Sequence, residues 1–289
     1  MTVYYKIAHD FHLTFQSRSR FFVTIKIPWL VENDYQRIVN IKTNPPAKIK
    51  RVKKEGWELL SMKYSLDLPP RGSRAFNIET QLARLEFALP APLSEINNYP
   101  FTHRSRLPSQ PQWPTNIEEL YKTAVESVQE YHSLLEVYIS LYKKTRELIA
   151  PENLESRIGA YKAFKTGYGD CDEMTDLFIT FCRCLGIPAR RVTGYYVHKD
   201  EEIRVENHAW AEVPCPGTDN MWLPVDPAML NFARLPQSYI AKKIEASISQ
   251  VDDMVYTWRG RSTIALSSNF TEEKVKISVL RQLPTKTSK

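Results

Sequence analysis

The stretch GYGDCDEMTDLFITFCRCLGIPAR, residues 167–190, sets one cysteine behind a Gly-x-Gly-Asp turn and at the head of an amphipathic helix. Asp170 is a good N-cap, Met174, Leu177, Phe178, Phe181, Cys182 and Leu185 recur at helical spacing, and Gly186 followed by Pro188 stops the helix. Cys171 therefore falls in the first turn. There the unpaired amides and the positive end of the helix dipole favour a thiolate, which makes a nucleophile available near neutral pH. Gly167 and Gly169 are expected to leave room for a substrate backbone. Asp170, Asp172 and Glu173 are anionic and by themselves oppose a thiolate, so an imidazolium is needed nearby. For an arbitrary cysteine the default reading is a buried small hydrophobe; the downstream sequence changes that.

In ENHAWAEV, residues 206–213, strand alternation puts His208, Trp210 and Glu212 on one face and Asn207, Ala209, Ala211 and Val213 on the other. A histidine on a strand is ordinarily a half-buried structural side chain, but a strand is also a rigid mount for a base. Further on, WLPVDPA, residues 222–228, brings Asp226 to the end of a short apolar strand, just before Pro227. Helix-start cysteine, strand histidine and strand-end aspartate are the parts of an acyl-transfer triad. The thiolate attacks, the imidazole shuttles the proton, and the carboxylate fixes the imidazole tautomer and stabilises its charged form.

Four segments in this order, GYGDC, LGIPARRVTGYY, NHAWAEV and WLPVDPA, resemble the core of the transglutaminase-like superfamily over residues 158–229. The resemblance implies a papain-like α+β fold with Cys171 as nucleophile, His208 as general acid and base, and Asp226 as the orienting group. It also implies a thioester formed with loss of ammonia or an amine. The Cys171 backbone N–H is the natural first oxyanion donor, and Tyr161 and Tyr168 are the candidates nearest in sequence for a second. The chain lacks the Cys-x-x-Cys pairs that the related peptide-N-glycanases carry for a structural zinc. The arylamine acetyltransferases share the triad logic but differ around the cysteine.

No metal and no cofactor is expected. Cys182, Cys184, His208 and Cys215 are ligand types, yet Cys182 and Cys184 stand two apart on a helix, roughly 200° around it, and cannot converge on one ion. VDDM and GDCDE lack the alternating oxygen spacing of a calcium site. Trp210, Trp222, Tyr195 and Tyr196 are read as core and left outside the site.

The 289 residues, 43% hydrophobic and 25% charged, suit one large or two ordinary domains. The opening MTVYYKIAHDFHLTFQ lacks the basic start and apolar run of a signal peptide, and no window approaches the roughly 20 apolar residues of a membrane span. A cytoplasmic chain without membrane contact is expected. Four cysteines are too few for a disulfide scaffold, so free thiols are the default. The formal net charge is +6, but the densest basic run, KIKRVKKE at 48–55, carries Ile49 and Val52 among its charges like a solvated strand. With no aromatic-basic motif beside it, no nucleic-acid partner is expected.

From Val3 to Leu89 the apolar period is two: Phe21, Val23, Ile25 and Ile27 share a face while Thr24 and Lys26 take the other. Similar segments at 35–43, 57–66 and 76–89, separated by NPP and LPPRGS, suggest a β-sandwich domain at 1–90. Prolines 90, 92, 100, 108, 111 and 114 make 91–114 a proline-rich linker. The α+β catalytic domain is then 115–289. Its first helix opens with Thr115 and Glu118 in capping-box spacing, and helices run to about Phe164. Beyond the Cys171 helix, strands are expected at 191–198, 206–214, 221–225, 262–267 and 274–280.

These features together predict a thiol hydrolase of peptidase or amidase type acting on amide bonds in protein or peptide. Transfer of the acyl group to a lysine amine, which cross-links protein glutamine, is the runner-up. From another class, the chain is a binding or scaffolding protein with a vestigial triad.

Overall fold

The computed structural model describes residues 2–14, 20–54, 57–70, 73–89, 92–199, 203–245, 255–259 and 274–280. In chain order the first strands are β1 (Thr2–Thr14), β2 (Phe21–Glu32), β3 (Gln36–Asn44), β4 (Lys48–Lys54), β5 (Trp57–Leu68) and β6 (Ser73–Leu85). Then come helices α1 (Leu93–Asn97), α2 (Glu118–Glu126) and α3 (Leu134–Leu148), strand β7 (Ala150–Pro151), α4 (Ala160–Thr166), β8 (Tyr168–Gly169) and α5 (Cys171–Cys184). The remainder is β9 (Arg190–Lys199), β10 (Ile203–Pro214), β11 (Trp222–Asp226), β12 (Asn231–Phe232), β13 (Tyr239–Glu245), β14 (Val255–Arg259) and β15 (Lys274–Leu280). Strands outweigh helices. The chain divides into two compact units, one of residues 1–85, 197–205 and 252–289, the other of 86–196 and 206–251.

The first unit holds two four-stranded sheets, in the orders β15-β1-β6-β3 and β14-β2-β5-β4. The period of two read from the sequence is that of their buried faces: in β6, Phe76, Ile78, Thr80, Leu82 and Arg84 are buried and the residues between them are not. Side chains of the two sheets meet: the Trp29 indole N–H donates to the Thr80 hydroxyl at 2.8 Å, and Tyr64 and Phe76 pack edge to face. The strand expected at 274–280 forms, but it pairs with β1, with Ile277 opposite Ile7. β14 likewise pairs with β2. Both therefore lie in the first unit, although their place in the sequence suggests the second. Apolar period identifies a strand's faces and says nothing of its partner across two hundred residues. The strand expected at 262–267 lies outside the described residues.

The proline-rich segment, read as a linker, is part of the second unit. It contains α1, and its extended run lies on the end of α5: the amides of Arg104 and Leu107 donate to the carbonyls of Leu185 and Arg183 at 3.4 and 3.0 Å. The capping box expected at Thr115 is absent. Ile117 is the N-cap of α2, and the Thr115 hydroxyl instead donates to the Leu107 carbonyl at 2.7 Å. Capping boxes occur at α3, between Ser133 and Glu136, and at α5, between Asp170 and Glu173.

Helix α5 is not merely amphipathic. Every residue from Glu173 to Cys184 is buried. Its polar side chains therefore need partners inside the protein. The Asp176 carboxylate takes two 2.6 Å bonds from the Arg157 guanidinium and one of 2.8 Å from the Trp113 indole. The Thr175 hydroxyl donates to the Ala209 carbonyl at 3.3 Å, and Arg183 donates to the Ala189 carbonyl. The helix closes with a left-handed Gly186 (φ 73°), the amides of Gly186 and Ile187 returning to the carbonyls of Arg183 and Cys182. The sheet of this unit has the order β12-β11-β10-β9-β13, with β10 central. β13 approaches β9 so closely that a Cβ on Gly194 would lie 1.8 Å from the Ile240 carbonyl oxygen. Among the described residues no helix is long and apolar enough to cross a membrane.

Removing Arg157 would strand the fully buried Asp176 carboxylate with the indole as its remaining side-chain partner. Arg157→Ala is expected to lower unfolding free energy by about 3 kcal/mol or more, read from urea unfolding. A loss under about 1 kcal/mol would mean that the pair contributes no more than an exposed one.

Candidate active site

Cys171 is the first residue of α5 and half-buried; the other three cysteines are buried. Burial pushes the thiols of Cys182 and Cys215 up from the usual range, and that of Cys184 to about 11, so all three are held protonated. The acids flanking Cys171 are engaged. The Asp170 carboxylate accepts from the amides of Asp172 (2.8 Å) and Leu154 (3.3 Å). The Glu173 carboxylate accepts from the amides of Ile158 (2.7 Å) and Asp170 (3.3 Å). Asp172 is paired with Arg191, which also reaches Glu245 at 3.4 Å. Burial raises the pKa of Glu173 against the pull of the Ile158 amide.

The glycines ahead of Cys171 have roles in the fold. Gly167 ends α4 in a left-handed conformation (φ 77°), and a Cβ on Gly169 would sit 2.4 Å from the Glu173 Cβ. That contact lets Glu173 fold back over the turn to close the capping box.

His208 stands on β10 and Asp226 ends β11. The register Ala211↔Val225, continued by one pair, sets Asp226 opposite Trp210, so His208 is its diagonal neighbour on the same face. His208 Nε2 lies 2.7 Å from Asp226 Oδ2, with both side chains nearly dry. Cys171 also acts on the ring, raising its pKa, and with Nε2 engaged, Nδ1 is the atom left for the thiol. Burial by itself favours the neutral ring, but its interactions with Asp226 and Cys171 outweigh it and raise the His208 pKa from 6.5 to about 10. The three residues proposed from the sequence are thus brought together. This constellation can hold a thiolate beside an imidazolium whose far side is fixed by a carboxylate.

Tyr239, Asn231 and the Met229 amide were not singled out by the sequence. Tyr239, on β13, donates its hydroxyl to Asp226 Oδ2 at 2.7 Å and accepts from Asn231 Nδ2 at 2.8 Å. The Met229 amide donates to Asp226 Oδ1 at 3.0 Å. Tyr196, read as core, packs edge-on against His208 at 6.0 Å and Tyr239 at 5.1 Å. Trp210 is fully buried, and Trp222 lies under the Arg190 guanidinium at 3.9 Å. Glu212 is buried and paired with Arg190 at 2.7 Å, so the alternation along β10 separates two covered faces instead of an inner and an outer one. Tyr161 is on an exposed part of α4, and Tyr168 pairs with Ala150.

Among the described residues, the group able to hold a metal ion is Asp170, Cys171 and Asp172, whose ligand atoms lie within 4.8 Å of one another. The amide and Arg191 partners already given to its carboxylates account for them without an ion.

Residues 121–227 match the transglutaminase-like superfamily. The four sequence segments lie in that stretch up to its last residue, the fourth passing it by Ala228. The whole chain resembles in fold a candidate cysteine protease from Cytophaga hutchinsonii, with a TM-score of 0.57 at 15% identity, covering 98% of this chain and 92% of that one. A candidate protease from Parabacteroides distasonis ATCC 8503 gives a TM-score of 0.34 at 11% identity, covering 83% of this chain and 48% of that one. Red sea bream transglutaminase gives 0.32 at 12% identity, with 77% and 48% covered. No curated protein matches the chain.

Two measurements follow from this geometry. Gly169→Ala is expected to cost about 2 kcal/mol in urea unfolding, by forcing Glu173 off the turn; an unchanged midpoint would mean the turn yields freely. The second concerns pH. A ring whose folded pKa stands above its ordinary 6.5 contributes stability that is fully present below about pH 6.5 and lost as pH rises through about 10. The stability difference between wild type and His208→Gln should shrink across that window. A constant difference would mean the ring is neutral throughout.

Proposed function

We propose that the protein is a thiol-dependent acyl-transfer enzyme, a hydrolase of peptidase or amidase type acting on amide bonds in protein or peptide. The observation that carries this reading is the pairing of His208 with Asp226 at 2.7 Å, with Cys171 acting on the same ring and helping to raise its pKa. The match to the transglutaminase-like superfamily supports it.

Cys171 Sγ attacks the amide carbonyl, and the oxyanion forms against the Cys171 amide, which as the first helical residue has no acceptor within the helix. The His208 imidazolium gives its Nδ1 proton to the departing nitrogen, the C–N bond breaks, and the acyl group remains on sulfur as a thioester. Water then attacks. The neutral ring takes a proton from it, the C–S bond breaks, and the acid leaves behind the thiolate and the imidazolium. Asp226 holds the ring by Nε2 throughout and stabilises its charged form. The strands of the first unit, read as a β-sandwich, orient substrate or partner.

The test is incubation with a peptide mixture and a large excess of a primary amine, analysed by mass spectrometry. Cleaved or deamidated products that vanish in a folded Cys171→Ala variant are expected, with Asp226→Asn slower by about two to four orders of magnitude. Amine adducts in their place would favour transamidation. An unmodified mixture would favour the binding-protein reading.

A further inference from the structure

Asp226 does not face His208 alone. Its Oδ2 is shared at 2.7 Å by the imidazole of His208 and the hydroxyl of Tyr239, and its Oδ1 accepts from the Met229 amide at 3.0 Å. The Tyr239 hydroxyl is itself fixed, because Asn231 Nδ2 donates to it at 2.8 Å while also reaching the Met229 carbonyl at 3.2 Å. Asn231 lies opposite Asp226 in the β11–β12 ladder, and Tyr239 opposite Tyr196 in the β13–β9 ladder. Two strands and one turn thus converge on a single carboxylate, and Asn231 braces the phenol from β12. The phenol is fully buried. Burial and the neighbouring carboxylate keep its proton on well above the usual tyrosine range, so it acts as a donor.

We propose that Tyr239, held by Asn231, is a positioning residue that orients the Asp226 carboxylate toward His208 and limits how strongly that carboxylate draws the imidazole proton. This rests on the function proposed above. The physical argument is one of shared charge. An oxygen that accepts two hydrogen bonds divides its negative potential between them, so a second donor at Oδ2 weakens the hold of Asp226 on the imidazolium. A looser hold suits a ring that must release its proton in every cycle. The titratable groups facing the ring are Asp226 from β11, Cys171 from α5, Tyr239 from β13 and Tyr196 from β9.

The test is the rate of Cys171 alkylation by iodoacetamide against pH, with peptide mapping, in the whole chain. For wild type, Cys171 should react well below the pH of an ordinary thiol, with an alkaline limb where His208 loses its proton. In Tyr239→Phe that limb is expected to move up by about 0.5 unit or more, because the full charge of Oδ2 then bears on the ring. Asn231→Ala, which keeps the phenol and alters a partly exposed residue, should move it a smaller distance in the same direction. Urea unfolding of both variants reports any structural cost separately. A limb that stays put or moves down in a folded variant overturns the proposal and assigns Tyr239 to packing. A wild-type Cys171 that reacts like an ordinary thiol would instead remove the proposed function.

Discussion

A helix buried on every side must supply each of its polar groups with a partner from the protein, and that requirement on α5 organises the second unit. Its side chains reach backward in the sequence to Trp113 and Arg157, which meet at Asp176, and to the Ile158 amide, which meets Glu173. They reach forward to the Ala189 and Ala209 carbonyls. The Ala209 contact ties the helix to the strand that carries His208. The helix that begins with Cys171 is thereby held against the strand of His208. Because the capping box and the Gly169 contact fix the first turn as well, Cys171 begins a segment with little freedom to shift.

Three carboxylates beside a nucleophilic thiol look, in the sequence, like an argument against a thiolate. The structure removes most of their force. Asp170 and Glu173 lend their oxygens to backbone amides, which spreads their charge over donors, and Asp172 is answered by Arg191. Arg191 is shared with Glu245, so the neutralising cation is held from two sides and is buried. The acids at the head of the helix are thereby each engaged, and the dipole and His208 act on the thiol from the other side.

What could be read in advance follows the range of the interactions. The Cys171 helix with its cap and its Gly186 stop is local, and so are the strand of His208 and the strand end at Asp226. Each was legible from a window of a dozen residues. The strands of the first unit were legible as strands for the same reason. The pairing of β14 with β2 and of β15 with β1 was not, since a ladder joins segments that share no local signal. Tyr239 escaped notice because YIAKKIE, with two lysines at its centre, lacks a clean alternation, and because tyrosine on a strand reads as packing. Its role depends on a hydroxyl meeting one oxygen of a residue on another strand. The full burial of α5 was hidden in a similar way. Asp176 and Arg183 look like a solvent face until their partners, distant in sequence, are known.

The charge state of His208 is decided between opposed influences. Burial favours the neutral ring; Asp226 and Cys171 favour the cation, and they prevail. A carboxylate with His208 as its sole partner would hold the proton most firmly but could turn about its own bonds. One that also accepts from Tyr239 and the Met229 amide is fixed in place, and part of its pull is drawn off by those donors. Orientation and proton affinity are thus set by the same three bonds and cannot be adjusted independently. A site that must both keep an imidazolium beside a thiolate and give its proton to a leaving nitrogen needs an intermediate strength. Sharing one carboxylate among several donors is a direct physical way to reach it.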